Sequence, residues 1–141
     1  MGNGLNMALL KTFIDRNKYA VLSTVNQRGT PEAALVGIVA APDLRLFFDT
    51  AVTSRKYRNL VRRPEVALVI GWNNEQTLQY EGTAYRPEAE ELEEMAAIYD
   101  LVFPEGKMRR ASQDIACFCI RPHWVRLSDY NIPVAIRELF F

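Results

Sequence analysis

Between residues 47 and 56 the chain reads Phe-Phe-Asp-Thr-Ala-Val-Thr-Ser-Arg-Lys, with hydroxyls and cations close enough together to hold one anion. The pattern is a strand end, a hydroxyl-rich loop and the first turn of a helix. That first turn exposes unpaired N–H groups and a partial positive charge, so it favours anions. Arg55 and Lys56 place two cations there instead, at a cost of ~0.3–1 kcal/mol each. A phosphate seated at this point turns the cost into a gain. The hydroxyls of Thr50, Thr53 and Ser54, backbone N–H groups and both cations then converge on one dianion. The alternative reading is plain capping, in which Thr53 or Ser54 closes the helix and the cations extend into solvent.

The rest of the chemical inventory is thin. His123 is the single histidine, so a Ser-His-Asp or Cys-His arrangement has to use it. It follows Pro122 at a strand start and reads as structural. No HExxH, P-loop or GxGxxG motif occurs. Cys117 and Cys119 fall on one face of a strand, and C-x-C is neither a redox pair nor a recognisable half of a zinc site. They read as buried apolar thiols in a reducing cytoplasm. If this protein carries out a hard chemical step, a cofactor supplies it.

A chain of 141 residues suits one domain spanning 1–141. Seventeen basic residues balance seventeen acidic ones, which argues against a general nucleic-acid binder. No apolar run is long enough for a membrane helix, and the first residues lack the basic and apolar segments of a signal peptide. Met7 stands where a myristoylation signal places Ser or Thr. A cytoplasmic location follows as an expectation.

The surrounding elements can be read from periodicity. Residues 3–17 form a first helix with Leu9, Leu10, Phe13 and Ile14 on one face. Strand 19–25, turn 26–31 and the apolar run 32–41 make a hairpin. Strand 44–49 leads through loop 50–53 to helix 54–63, which Pro64 ends. Strand 66–70 is followed by a half-solvated strand over 77–85. Pro87 opens the next helix, with a solvated glutamate-rich start and a buried stripe of Leu92, Met95, Ala96, Tyr99 and Val102. Residues 104–106 stop it. Two further strands, 114–120 and 124–127, are broken near Pro122. The fold class is mainly β or α+β: a six-stranded antiparallel barrel with flanking helices. The runs 33–41 and 66–70 are more apolar than a one-sided wall needs, and Leu139-Phe140-Phe141 must dock on something. A helix or a second subunit covers such surfaces, and a homodimer is expected.

Residues 46–72, Leu-Phe-Phe-Asp-Thr through Ser-Arg-Lys to Ile-Gly-Trp, resemble the core of the pyridoxamine 5′-phosphate oxidase-like family, the FMN-binding split barrels. The resemblance covers about 8–128. It implies a split β-barrel homodimer with FMN at the subunit interface. Thr50, Ser54, Arg55 and Lys56, with the neighbouring Asp49, match the phosphate-binding segment. Leu35, Val36 and Gly37 lie where the family's backbone runs beside the flavin ring, and Gln76 or Thr77 near a flavin-contacting glutamine. Ala34 and Val39 stand where true pyridoxamine 5′-phosphate oxidases carry Arg and Lys, and the Arg-x-His substrate motif has no match at its place. The resemblance therefore implies no vitamin B6 oxidase, and leaves the deazaflavin F420 as an alternative to FMN.

Three functions follow as expectations. The first is an FMN-dependent oxidoreductase acting on a small substrate, with no nameable protein acid or base. The second is a non-catalytic flavin carrier, sensor or electron-transfer module, favoured by a length close to the minimum for the fold. The third is an F420-dependent reductase.

Overall fold

Residues 5–112 and 114–141 are described by the computed structural model. In chain order, α1 (Met7–Arg16) precedes the hairpin of β1 (Tyr19–Val25) and β2 (Pro31–Gly37). β3 (Val39–Ala40) and β4 (Leu46–Ala51) lead into α2 (Arg55–Arg62). β5 (Glu65–Ile70), β6 (Gln76–Tyr85), α3 (Ala89–Val102) and α4 (Gly106–Ser112) follow, then β7 (Ile115–Asp129) and β8 (Ala135–Phe140). Asn3 and Gly4, the expected first residues of α1, lie outside the described residues.

The strands form one antiparallel sheet in the order β2-β1-β5-β6-β7-β4-β3, with β8 added to β7. The two ends of that path, β2 and β3, are consecutive in the chain and separated only by Ile38. One apolar run therefore pairs first with β1 and then, past Ile38, with β4. The sheet curls on itself as a split barrel. The expected fold class holds, with eight strands in place of six.

Each side of the wall has its own core. Leu22, Val36, Phe48, Leu68, Tyr80, Phe118 and others fill the barrel. The Tyr80 hydroxyl is buried with them and donates to the carbonyls of Leu44 (2.7 Å) and Ile120 (3.2 Å). Outside, α3 lays Met95 and Tyr99 on Val39, Phe47, Cys117 and Cys119. That double cover explains why β4 is apolar at successive residues: Phe48 points into the barrel and Phe47 toward α3. Both cysteines are buried, as expected, and burial pushes the Cys119 thiol up to about 12.

Four expectations need correction. The two C-terminal strands are one, β7, because a bulge accommodates Pro122: Glu81 pairs with Trp124 and Gly82 with Pro122, leaving His123 as the extra residue. Gly82 is needed there, since a Cβ would sit 2.2 Å from the Arg121 carbonyl oxygen. The C-terminal residues form β8, which folds back on β7 as a hairpin closed by residues 130–134, with Asp129 opposite Ala135. The stop at 104–106 ends α3, yet the chain restarts as α4, and Val102 is exposed rather than buried. Finally, α3 begins beyond Pro87, with Glu88 as its cap residue.

Candidate functional site

α2 sits at one mouth of the barrel, packed against β1 and β4. Its start is built as the residue types require. Ser54 is extended (φ −75°, ψ 156°), and its Oγ accepts from the Tyr57 N–H at 3.2 Å. The buried Thr50 hydroxyl lies 2.9 Å from the same oxygen. Two hydroxyls, one end of a helix and the side chains of Arg55 and Lys56 thus share one corner. Burial lowers the pKa of Lys56 from its ordinary value, and the charge of Asp49 offsets this in part. Among the described residues no carboxylate lies within ion-pairing distance of Lys56. An ammonium withdrawn from water without a paired carboxylate is a poor stabiliser of the empty fold and a good receptor for an anion.

Beside this corner is a crevice of about 120 Å³ lined by Leu22, Thr24, Glu32, Ala34, Arg55 and Lys56. It can take a phosphate-sized group. It is smaller than the ~300–1,000 Å³ pockets that enclose whole cofactors, so an aromatic ring system must lie outside it. Ala34 helps to leave it open, and no cation from β2 faces it.

Glu32 does face it. Its carboxylate accepts from Asn59 Nδ2 (2.9 Å) and Asn26 Nδ2 (3.1 Å), and Arg55 Nη1 lies 3.4 Å away. These hydrogen bonds, that of Asn59 foremost, hold its carboxyl below the ordinary carboxylate value. Asn59 is buried and also donates to Thr24 Oγ1 at 2.9 Å. Beyond Glu32 the surface opens into a cleft of about 820 Å³ whose charged walls are Arg28, Arg55, Arg58, Arg62 and Glu32.

The other expected residues are dispersed. Asp49 faces away from Thr50, because neighbours on a strand point to opposite sides. It anchors α4 through Arg109 (3.3 Å) and lies 3.4 Å from the Tyr99 hydroxyl. Its charge nonetheless acts on Lys56 at the start of α2. Val36 points into the barrel core. Leu35 is 61% exposed on the outer face. Gly37 lies under the ring of Phe103, whose nearest atom would be 2.6 Å from a Cβ there. Gln76 donates to Asp129 Oδ2 at 3.0 Å, and Thr77 pairs with Ser128. Gln76 shares its groove with α1, not with α2, so one chain does not bring it to the crevice. His123 lies 2.6 Å from Thr83 Oγ1 on the exposed bulge, a structural setting.

Glu32, Asn59, Arg58 and Arg62 were not singled out from the sequence. The helical spacing of Arg55, Arg58 and Arg62 was the available signal. Like charges so spaced cost a helix ~0.2–0.5 kcal/mol per pair, and α2 has no acid among its residues. Among the described residues, no group of three or more His, Cys, Asp or Glu could hold a metal. Among the described residues no helix is long and apolar enough to cross a membrane.

Barrel and corner together define a split-barrel protein with a phosphate-sized seat at the start of α2. The sequence profile of the pyridoxamine 5'-phosphate oxidase family matches residues 8–129, and the chain belongs to that family. No curated protein matches it. Among solved structures it is similar to a heme binding protein from Mycobacterium smegmatis (TM-score 0.82, 19% identity), covering 96% of this chain and 58% of that one. It therefore spans little more than half of that neighbour's length. It is also similar to HutZ, the heme storage protein from Vibrio cholerae (TM-score 0.71, 21% identity, 87% of this chain and 92% of that one). A third likeness is to General Stress Protein 26 from Bacillus anthracis (TM-score 0.69, 21% identity, 94% and 98%). At these identities the likeness is one of fold.

Proposed function

We propose that this protein binds FMN, with the cofactor's phosphate at the start of α2 between the Thr50–Ser54 corner and the crevice beside it, and acts as a flavin-dependent oxidoreductase on a small substrate. The observation that carries this reading is the corner itself: two hydroxyls 2.9 Å apart, a helix start and a partly desolvated Lys56 with no paired carboxylate. These groups fit a phosphate dianion. The bound flavin would supply the electron and hydride chemistry. Thr50 and Ser54 would orient the phosphate, and Arg55 and Lys56 would neutralise it. No acid or base of the chain faces the crevice apart from Glu32 and Lys56, so the protein's part is to bind, orient and exclude water.

The ring needs a wall that one chain does not supply, and a homodimer provides it. On the outer face of the sheet Leu35, Val21 and Val69 stand in one row across β2, β1 and β5, each more than a third exposed. Burying that row against a second copy removes apolar surface from water. Gln76 and Thr77 would then reach a flavin only from the partner. Buried, unpaired Cys117 and Cys119 suit a cytoplasmic protein.

A carrier or sensor role is the second reading, because, of the two proton-transfer groups lining the crevice, Glu32 is already engaged by Asn59, Asn26 and Arg55. F420 in place of FMN is in keeping with the small Ala34, which puts no cation from β2 into the crevice. Haem has less support in this chain, because neither clefts at α2 is lined by His123, Cys117 or Cys119, the side chains best suited to an axial bond.

The test is titration of flavin-free protein with FMN, read by quenching of flavin fluorescence, beside Arg55→Ala/Lys56→Ala. Loss of two charge-assisted contacts weakens binding at least about tenfold. Wild-type protein that ignores FMN overturns the assignment. Reduction of the bound flavin by NAD(P)H and turnover with an acceptor separates catalyst from carrier.

A further inference from the structure

The 820 Å³ cleft lies on the far side of Glu32 from the crevice, and the FMN reading leaves it unused. Four guanidiniums line it. Arg55, Arg58 and Arg62 come from successive turns of α2, and Arg28 comes from the β1–β2 turn opposite. Seven residues of helix separate the first from the last, about 10 Å at 1.5 Å per residue. Among the described residues, no carboxylate lies within ion-pairing distance of Arg28, Arg58 or Arg62, while Arg55 is shared with Glu32. The cleft floor is ordered: buried Asn59 is tied to Thr24 and Glu32, and Asn26 to Glu32 and to the backbone N–H groups of Arg28 and Thr30. The chain carries equal numbers of acids and bases, so this concentration is a local arrangement and not a general basicity.

We infer that this cleft is a second anion site, which takes an oligophosphate chain of two or more adjacent phosphates. A row of arginines matches such a chain because each planar guanidinium can bind a phosphate with two parallel hydrogen bonds, and neighbouring phosphates meet neighbouring guanidiniums. A single phosphate engages only part of the row. Glu32 sits at the boundary between the two seats, where it repels anions in both and holds Arg55 between them. The cleft is thus selective for ligands with enough charge to outweigh one carboxylate. The FMN seat does not depend on Arg58 or Arg62, so the two readings stand or fall apart.

The probes are inorganic tripolyphosphate, orthophosphate and citrate, titrated calorimetrically into the full chain at low salt. Tripolyphosphate is expected to bind at one equivalent per chain, at least about tenfold tighter than orthophosphate or citrate. Arg58→Ala/Arg62→Ala should lose at least about tenfold for tripolyphosphate and keep its FMN affinity and far-ultraviolet circular dichroism. Glu32→Gln should gain affinity severalfold by removing the repelling charge. Equal affinity for tripolyphosphate and orthophosphate overturns the inference. So does citrate binding as tightly as tripolyphosphate, or an affinity unchanged in either variant.

Discussion

The two charged helices of this protein are opposites in how they relate to their surroundings. α3 places Glu90 and Glu91 in its first turn, where the helix dipole favours them. Glu91 is shared by Arg45 and Tyr85, and the other face buries Met95 and Tyr99. α2 has no acid in its first turn, opens on Arg55 and Lys56, and carries Arg58 and Arg62, which no carboxylate among the described residues pairs. In the charge of its first turn α2 breaks the rule that α3 satisfies, although Ser54 caps it. A helix kept in a locally unfavourable state is where a ligand supplies what the chain lacks. α3 serves the fold, and α2 carries the proposed site.

The sharpest separation uses one substitution in each helix. Met95→Ala empties a fully buried position and should lower stability by ~2–5 kcal/mol in chemical denaturation, with FMN affinity of the folded protein unchanged. An equal loss of FMN affinity would break the division of labour. Ser54→Ala acts on both properties. It removes the helix cap, at ~0.5–2 kcal/mol of stability, and one phosphate contact, which fluorescence titration would detect.

Two lowered pKa values make stability rise with pH in two separate windows, while FMN affinity falls across the alkaline one. Lys56 has its pKa lowered from 10.5, so between that lowered value and 10.5 the unfolded chain holds a proton the folded chain has released. Stability should rise with pH across that interval. FMN affinity should fall across it, because the neutral amine no longer attracts phosphate, and Lys56→Met should flatten the affinity profile. Glu32 is held below 4.5, so its contribution is present above 4.5 and lost as pH falls through the lowered value. Acid denaturation of Glu32→Gln should show a shallower slope in that window.

The smallest effect is the most diagnostic of the contrast. Arg58→Gln relieves two like-charge spacings in α2, and the denaturation midpoint should rise by the equivalent of ~0.2–0.5 kcal/mol per pair, while tripolyphosphate binding weakens. The matching change on α3, Glu91→Gln, should destabilise instead, since it breaks the contacts to Arg45 and Tyr85.

Much of this could be read along the chain because it depends on near neighbours. The alternation of β6, the hairpin of β1 and β2, the Pro64 stop and the Ser54 start are properties of a few adjacent residues, and the structure places them where their types require. The grouping of Thr50, Ser54, Arg55 and Lys56 belongs to the same class, because a strand end, a loop and a helix start fix them within seven positions. What only the tertiary structure decided involves partners far apart in sequence. α4 docks where Asp49 offers Arg109 a charge, and Asp49 faces α4 because β4 turns it there. Glu32 reaches Arg55 across the barrel mouth, and Arg28 joins Arg58 and Arg62 only because a hairpin turn lies over a helix. Local periodicity records which face a residue takes; closure of the sheet decides what that face meets.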